Sequence, residues 1–268
     1  QKLLIPMDAI QTDHLKAYGI AFSTLEKNKN VDWLLNYRGG SFMIDANLSI
    51  QQECTIRGVY FELIGAGALS KIYASIEENN MDIVLLEKLP KIAVYSPDGK
   101  QPWDDAVTLA LTYAEIEYET VFDEEVLTNK LKEFDWLHLH HEDFTGQYGK
   151  FYKSYRNANW YKQQVLDFNA TATQFGFSSV HELKKSIAVK IKEFVSNGGF
   201  LFAMCSATDS FDIALAAINV DIVDTPFDGT PVEGGFAGKL NFTNGVAFEN
   251  YQLYTNPMTY EYSTIDVP

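Results

Sequence analysis

Only two cysteines, Cys54 and Cys205, occur in the 268 residues, and they lie far apart in sequence. So few thiols exclude a disulfide framework, and they fix no redox compartment. Basic residues are also scarce: 21 Lys and Arg stand against 36 Asp and Glu, for a formal net charge of -15. Binding a phosphate backbone needs a concentrated basic face, and none is visible, so DNA and RNA are excluded as partners. No apolar run approaches the roughly 18 to 20 residues of a membrane span, and none is expected. No initiator methionine opens the chain, which starts at Gln1 as a processed or a trimmed polypeptide would. Three Asn-x-Ser/Thr triplets, at Asn47, Asn169 and Asn241, are close to the number chance supplies and carry no meaning.

What is present suffices for a core. With 46% hydrophobic and 14% aromatic residues the chain is globular, and its length fits one large α/β domain or two smaller ones. Residues 92 to 219 alternate strand and helix signals as a parallel sheet with crossover helices does. Strands are predicted at Ile92 to Tyr95, Tyr118 to Phe122, Trp136 to His140 and Phe200 to Met204. Helices are predicted from an Asp104 N-cap to about Ile116, from about Glu124 to Phe134, and between Ser179 and Ser196, where Leu183, Ile187, Ile191 and Phe194 keep one face. This order predicts a flavodoxin-like doubly wound sheet over residues 90–220, with a site beyond the carboxyl ends of the strands. Residues 1–89 read as a further α/β region, with Leu15, Tyr18, Phe22 and Leu25 as one helical stripe and Leu89-Pro90 as the boundary. Residues 221–268 lose the helix signals and read as β-rich or irregular.

Cys205 closes the apolar run Gly199-Phe200-Leu201-Phe202-Ala203-Met204 and is followed at once by a helical pattern. A buried strand that ends in a thiol and turns into a helix is how α/β hydrolytic folds present a nucleophile. Ala203 and Ala207 are small enough for that turn, while Ser206 and Asp209 stand at the helix start, where N–H groups favour a thiolate or an oxyanion. The His140-His141-Glu142-Asp143 run falls at another strand end. One of His140 or His141 as general base, with Glu142 or Asp143 orienting it, would complete a Cys-His-acid set. By strand alternation His138, His140 and Glu142 share one face, a spacing that also suits a divalent metal, although nothing specifies a fourth ligand and no metal or other cofactor is assigned. The aromatic stretch 144–177, with Tyr148, Phe151, Tyr155, Trp160 and Phe168, suits either a platform for a carbohydrate or other small-molecule ligand or the anchoring of a long loop.

The segment Asn197-Gly198-Gly199-Phe200-Leu201-Phe202-Ala203-Met204-Cys205-Ser206-Ala207-Thr208 resembles the class I glutamine amidotransferase-like superfamily, in its ThuA-like branch, over roughly residues 90 to 220. Along the whole chain, Leu4-Ile5-Pro6-Met7-Asp8, the run from Trp33 to Phe42 and the run from His138 to Phe151 are similar to an uncharacterised family labelled asparagine synthetase B. That likeness implies a signal peptide and hence a periplasmic or secreted protein. An amidotransferase of this class would carry a His-x-Glu unit after the cysteine, but no histidine follows His181. Asparagine synthesis itself is excluded, because Ser206 and Ala207 stand where an ATP-pyrophosphatase loop needs glycines to approach the pyrophosphate. Two functions are therefore expected: an atypical Cys-His hydrolase acting on a small or glycan-derived substrate, or a non-catalytic envelope module that binds carbohydrate or a protein partner through residues 144–177. The sequence leaves the oligomeric state open.

Overall fold

Strand-forming runs of Leu, Ile and Val open the chain, and in the computed structural model, which describes residues 1–97 and 106–266, they build one of two sheets. The helix start expected at Asp104 lies outside the described residues. By its internal contacts the chain divides into two units, the first comprising residues 1–90 with 106–117, the second taking up the chain at Lys91 and again from Tyr118 onward.

In the first unit, β1 (Lys2–Ile5), β2 (Val31–Leu35), β3 (Ser41–Asp45), β4 (Glu62–Ile64) and β5 (Asp82–Leu86) form an antiparallel sheet in the order β4-β1-β3-β2-β5. Leu3 pairs with Ile44 and Ile5 with Phe42. Because side chains alternate across a strand, Leu3, Ile5, Phe42 and Ile44 fall on one face and Leu4 and Met43 on the other. Helices α1 (His14–Glu26) and α2 (Leu48–Ile56) cover the first face through Ala17, Ile20, Ile50 and Cys54. Helix α3 (Ala66–Glu78) covers the second through Ile72 and Ile76. Asp13 caps α1, its carboxylate accepting from the Lys16 amide at 3.0 Å. The stripe expected on α1 is displaced: Leu15 and Tyr18 are exposed, while Ala17, Ile20, Ala21 and Thr24 are buried. Helix α4 (Ala106–Ala114) packs against α1 closely at Gly19. A Cβ added at Gly19 would lie 1.9 Å from the Ala114 carbonyl oxygen. Strand β5 escaped prediction.

In the second unit, β6 (Ile92–Tyr95), β7 (Glu119–Val121), β8 (Trp136–Leu139) and β9 (Phe200–Ala203) run parallel in the order β7-β6-β8-β9. The fold is thus mixed α/β with a parallel sheet. Ala93, Tyr95, Leu137 and Leu139 enter one core with α5 (Asp123–Leu127), α8 (Val180–Ser196) and α9 (Ser206–Ala216). The predicted apolar face of α8 is that core: Leu183, Ile187 and Ile191 are fully buried, each contributing about 1.5–3 kcal/mol. The aromatic stretch is helical for much of its length, as α6 (Tyr152–Tyr155) and α7 (Asn159–Gln174). After α9 the chain is irregular apart from α10 (Thr225–Asp228), short 3-10 turns and one isolated bridge between Leu253 and Ser263. The buried Asp212 carboxylate holds part of this segment, accepting from the amides of Val246, Ala247 and Phe248 at 2.6, 3.3 and 2.8 Å. No helix among the described residues is long and apolar enough to cross a membrane.

Candidate functional site

The parallel register of β8 and β9 carries on past the strands as side-chain and main-chain bonds. Leu139 pairs with Ala203, and the Met204 amide then donates to the Leu139 carbonyl at 3.1 Å. Beyond it the Ala207 amide donates to the His140 carbonyl at 3.3 Å and the Ser206 hydroxyl to the His141 carbonyl at 2.9 Å. The Ser210 hydroxyl donates to the Glu142 carbonyl at 3.0 Å and accepts from the Phe144 amide at 3.3 Å. The segment 139–144 is thereby laced to the start of α9, and the His-His-Glu-Asp run lies beside the elbow.

Cys205 is the N-cap of α9, exposed, with φ 54° and ψ -144°. A residue with a Cβ avoids this conformation, at a cost of about 1–3 kcal/mol, so the surroundings hold it there. The helix begins directly at Ser206, three residues earlier than expected, which puts Asp209 in its first turn. Among the described residues no hydrogen bond reaches the Cys205 Sγ.

The two histidines depart from strand alternation because β8 ends at Leu139. Their Nδ1 atoms lie 3.1 Å apart and their ring centroids 4.7 Å apart, so both half-buried imidazoles gather at one point. The Glu142 carboxylate turns back to accept from the His140 amide at 3.0 Å. His138, still on the strand, is buried and stacked on Phe202 at 5.3 Å. Strand alternation thus reaches only as far as His138 and Leu139, and among the described residues no group of three or more His, Cys, Asp or Glu is arranged to hold a metal ion.

Asp143 is held as the pin of its loop. It accepts from the Thr145 amide at 2.7 Å, the Thr145 hydroxyl at 2.6 Å and the Gly149 amide at 3.0 Å. The loop presses on the start of α8: at Gly146, with φ 80°, an added Cβ would lie 2.6 Å from the His181 Cα. Tyr148 is buried, its hydroxyl accepting from Asn169 at 2.8 Å, and burial pushes it up to about 12. Asp209 is 1% exposed, and its carboxyl lies against that of Asp266. Burial first, then the neighbouring Asp266 carboxylate, pushes it up to about 8.

A cavity of about 40 Å³ opens beyond β6, β7 and β8, and four of the expected residues, His141, Glu142, Asp143 and Tyr148, line it; Cys205, Ser206, His140 and Asp209 do not. The expected site residues thus form two groups joined at the histidine pair. The same cavity meets residues that the sequence pattern did not single out. Lys184, buried on α8, donates to both Asp123 carboxylate oxygens at 2.7 and 2.9 Å and to the Tyr95 hydroxyl at 2.9 Å. Tyr95 in turn donates to Asp123, and burial raises it well above the usual phenol range. A lysine one residue after Leu183, on the stripe that continues to Ile187 and Ile191, was the available signal. Compared with protein-family models, with curated proteins and with solved structures, the chain matches none.

Proposed function

We propose that the protein is a Cys205-dependent hydrolase of the class I glutamine amidotransferase-like kind, acting on a small or glycan-derived acyl substrate. The observation that carries this is the backbone of Cys205: an exposed thiol held at φ 54° at a strand-to-helix turn. Strain of this kind persists at functional sites, where it aims a side chain, and core packing does not require it. The strand order β7-β6-β8-β9, which numbered within the unit is 2-1-3-4, supports the flavodoxin-like, doubly wound form that goes with this function.

In the proposed reaction Sγ attacks the acyl carbon while an imidazole of the His140–His141 pair takes the thiol proton. The carbonyl oxygen becomes an oxyanion near the Ser206 amide at the start of α9. The bond to the leaving group breaks, that proton passes to the leaving group, and water then hydrolyses the thioester. Glu142, bonded to the His140 amide, orients the histidine segment. The triad order of the superfamily is replaced by a local one, as recurs when the same constellation is built on different frames. A periplasmic or secreted location belongs to the same proposal and rests on the sequence likeness.

Iodoacetamide alkylation at neutral pH, followed by mass spectrometry, tests it. Cys205 is expected to react about tenfold faster than a free thiol, and His140→Ala or His141→Ala to remove the excess. A rate equal to a free thiol's, together with p-nitrophenyl acetate turnover unchanged in Cys205→Ala, overturns it.

A second reading has its own observation: Tyr155 and Tyr260 are exposed, at 40% and 61%, and both pack against Phe151, at 5.9 and 6.1 Å. Exposed rings on a rigid base suit sugar stacking, as a non-catalytic carbohydrate-binding module would use. Saccharide binding that Cys205→Ala leaves intact and Tyr260→Ala abolishes would favour that reading.

A further inference from the structure

The cavity beyond β6, β7 and β8 lies at the switch point of the second sheet, where β6 is followed in sequence by β7 on one side and then by β8 on the other. Ligands of open parallel sheets bind at this position. Its volume of about 40 Å³ exceeds the ~10–15 Å³ that one water needs.

Hydrogen bonding and charge select what can enter. Lys184 reaches the wall, but its three protons are already placed on Asp123 and Tyr95, so it has no donor left for a ligand. The Asp143 carboxylate is served by neutral donors, the Thr145 amide and hydroxyl and the Gly149 amide. Gln164 supplies a buried amide oxygen, Oε1, that no described residue hydrogen-bonds. Glu142 and Asp143 lie on the wall together with the His141 imidazole; Asp123 is paired with Lys184, and Lys150 lies outside the wall, where burial lowers its amine to about 8. The remaining wall is aromatic, from Phe122, Tyr148, Phe151 and Phe168. A buried acceptor, two carboxylates and ring faces together are features that bind organic cations.

We propose that this cavity is a binding site for a primary ammonium group of a small ligand. Its N–H donors would meet the Gln164 amide oxygen and the carboxylate side of the wall, with its carbon against the rings. The site does not depend on Cys205 being a nucleophile.

Titration of the ¹⁵N-labelled protein with methylammonium chloride at constant ionic strength tests it. Saturable shifts are expected at the Gly146 and Gly149 amides, with tetramethylammonium, which lacks N–H donors, and neutral acetamide each about tenfold weaker. Gln164→Leu should weaken methylammonium by about tenfold and Gln164→Glu should tighten it, while Cys205→Ala leaves it unchanged. Equal responses to methylammonium and acetamide, or no saturable shift, would mean a cavity that holds water only and would overturn the proposal. If Gln164→Leu fails to fold, methylammonium binding that Gln164→Glu does not strengthen overturns it equally. Iodoacetamide rates at Cys205 are read separately, so either function can fail alone.

Discussion

The buried polar side chains of the first unit are Gln11, Ser23, Thr24 and Ser41, all uncharged, whereas the second unit buries Asp123, Glu142, Lys150, Lys184, Asp209 and Asp212 among others. Ion pairs of the first unit stay near water: Arg38 bonds Asp8 and Glu62 at 2.7 and 2.8 Å with side chains 24 to 30% exposed. The contrast follows sheet type. An antiparallel sheet closes on its own hairpins and crossings, and its apolar alternation fills two cores beside which only uncharged polar side chains are buried. A parallel sheet aligns all its carboxyl ends on one side, and loops there can sink charged groups below the surface. A buried pair adds little net stability, but breaking one strands the remaining charge, so the second unit should be the more sensitive to loss of a single partner.

The largest effect expected from this contrast is at Lys184. Lys184→Met would leave the 1% exposed Asp123 carboxylate without its cation and should cost about 3–5 kcal/mol. Replacing both partners, in Lys184→Met/Asp123→Leu, should restore most of that loss. Arg38→Met in the first unit should cost under about 1 kcal/mol, as exposed pairs do. Urea unfolding followed by hydrogen exchange at the strands of each unit measures all three. Equal losses at Arg38 and Lys184 would remove the distinction between the units.

Smaller, and specific in its sign, is the effect of Asp209. Its carboxyl keeps a proton up to about 8 in the folded protein but releases it near 3.8 when unfolded. Between these values the folded state holds the extra proton, so stability falls as pH rises, by at most about 1.4 kcal/mol per pH unit. His181 acts in the opposite sense below its ordinary 6.5, because burial lowers it and the unfolded chain takes up its proton first. Lys150, lowered to about 8 from 10.5, makes stability rise with pH above 8. From 6.5 to 8 the difference between the wild type and Asp209→Asn therefore reads this proton, because the other titrating groups are common to both. The wild type should lose stability more steeply than the variant; parallel slopes would place the proton elsewhere.

Residues whose side chains repeat the pattern of their element were legible in the sequence. Leu183, Ile187 and Ile191 announce α8, and the run from Phe200 to Met204 announces both β9 and the elbow after it. Helix α7 was hidden because Asn159 to Gln174 mixes Asn, Thr and Gln with aromatics and buries only Tyr161 and Ala172 fully, so no stripe stands out. Strand β5 was hidden because its Ile83, Val84 and Leu85 remain partly exposed at the edge of the first sheet. At the candidate site, chain position singled out Cys205 and the His140-His141-Glu142-Asp143 run. The partition into elbow and cavity depends on where β8 stops, at Leu139, and one residue of strand length reverses which face a histidine takes. Lys184 and Gln164 owe their roles to what other segments bring against them, which periodicity does not record.

The two cysteines turn the same contrast into a test within one residue type. Cys54 lies in α2, fully buried, and burial pushes its thiol up to about 12. Cys205 is exposed at a positive φ. In an ordinary helix alanine is favoured over glycine by about 1 kcal/mol, so Cys54→Ala should be more stable than Cys54→Gly by about that amount. At Cys205 the order should reverse, because glycine alone relieves the strained φ and ψ, and Cys205→Gly should exceed Cys205→Ala by about 1 kcal/mol. Both comparisons cancel the loss of the thiol itself, so thermal unfolding of the four variants reads the backbone directly. If alanine is preferred at both positions, the elbow is unstrained in solution, and the observation on which the hydrolase proposal rests is lost.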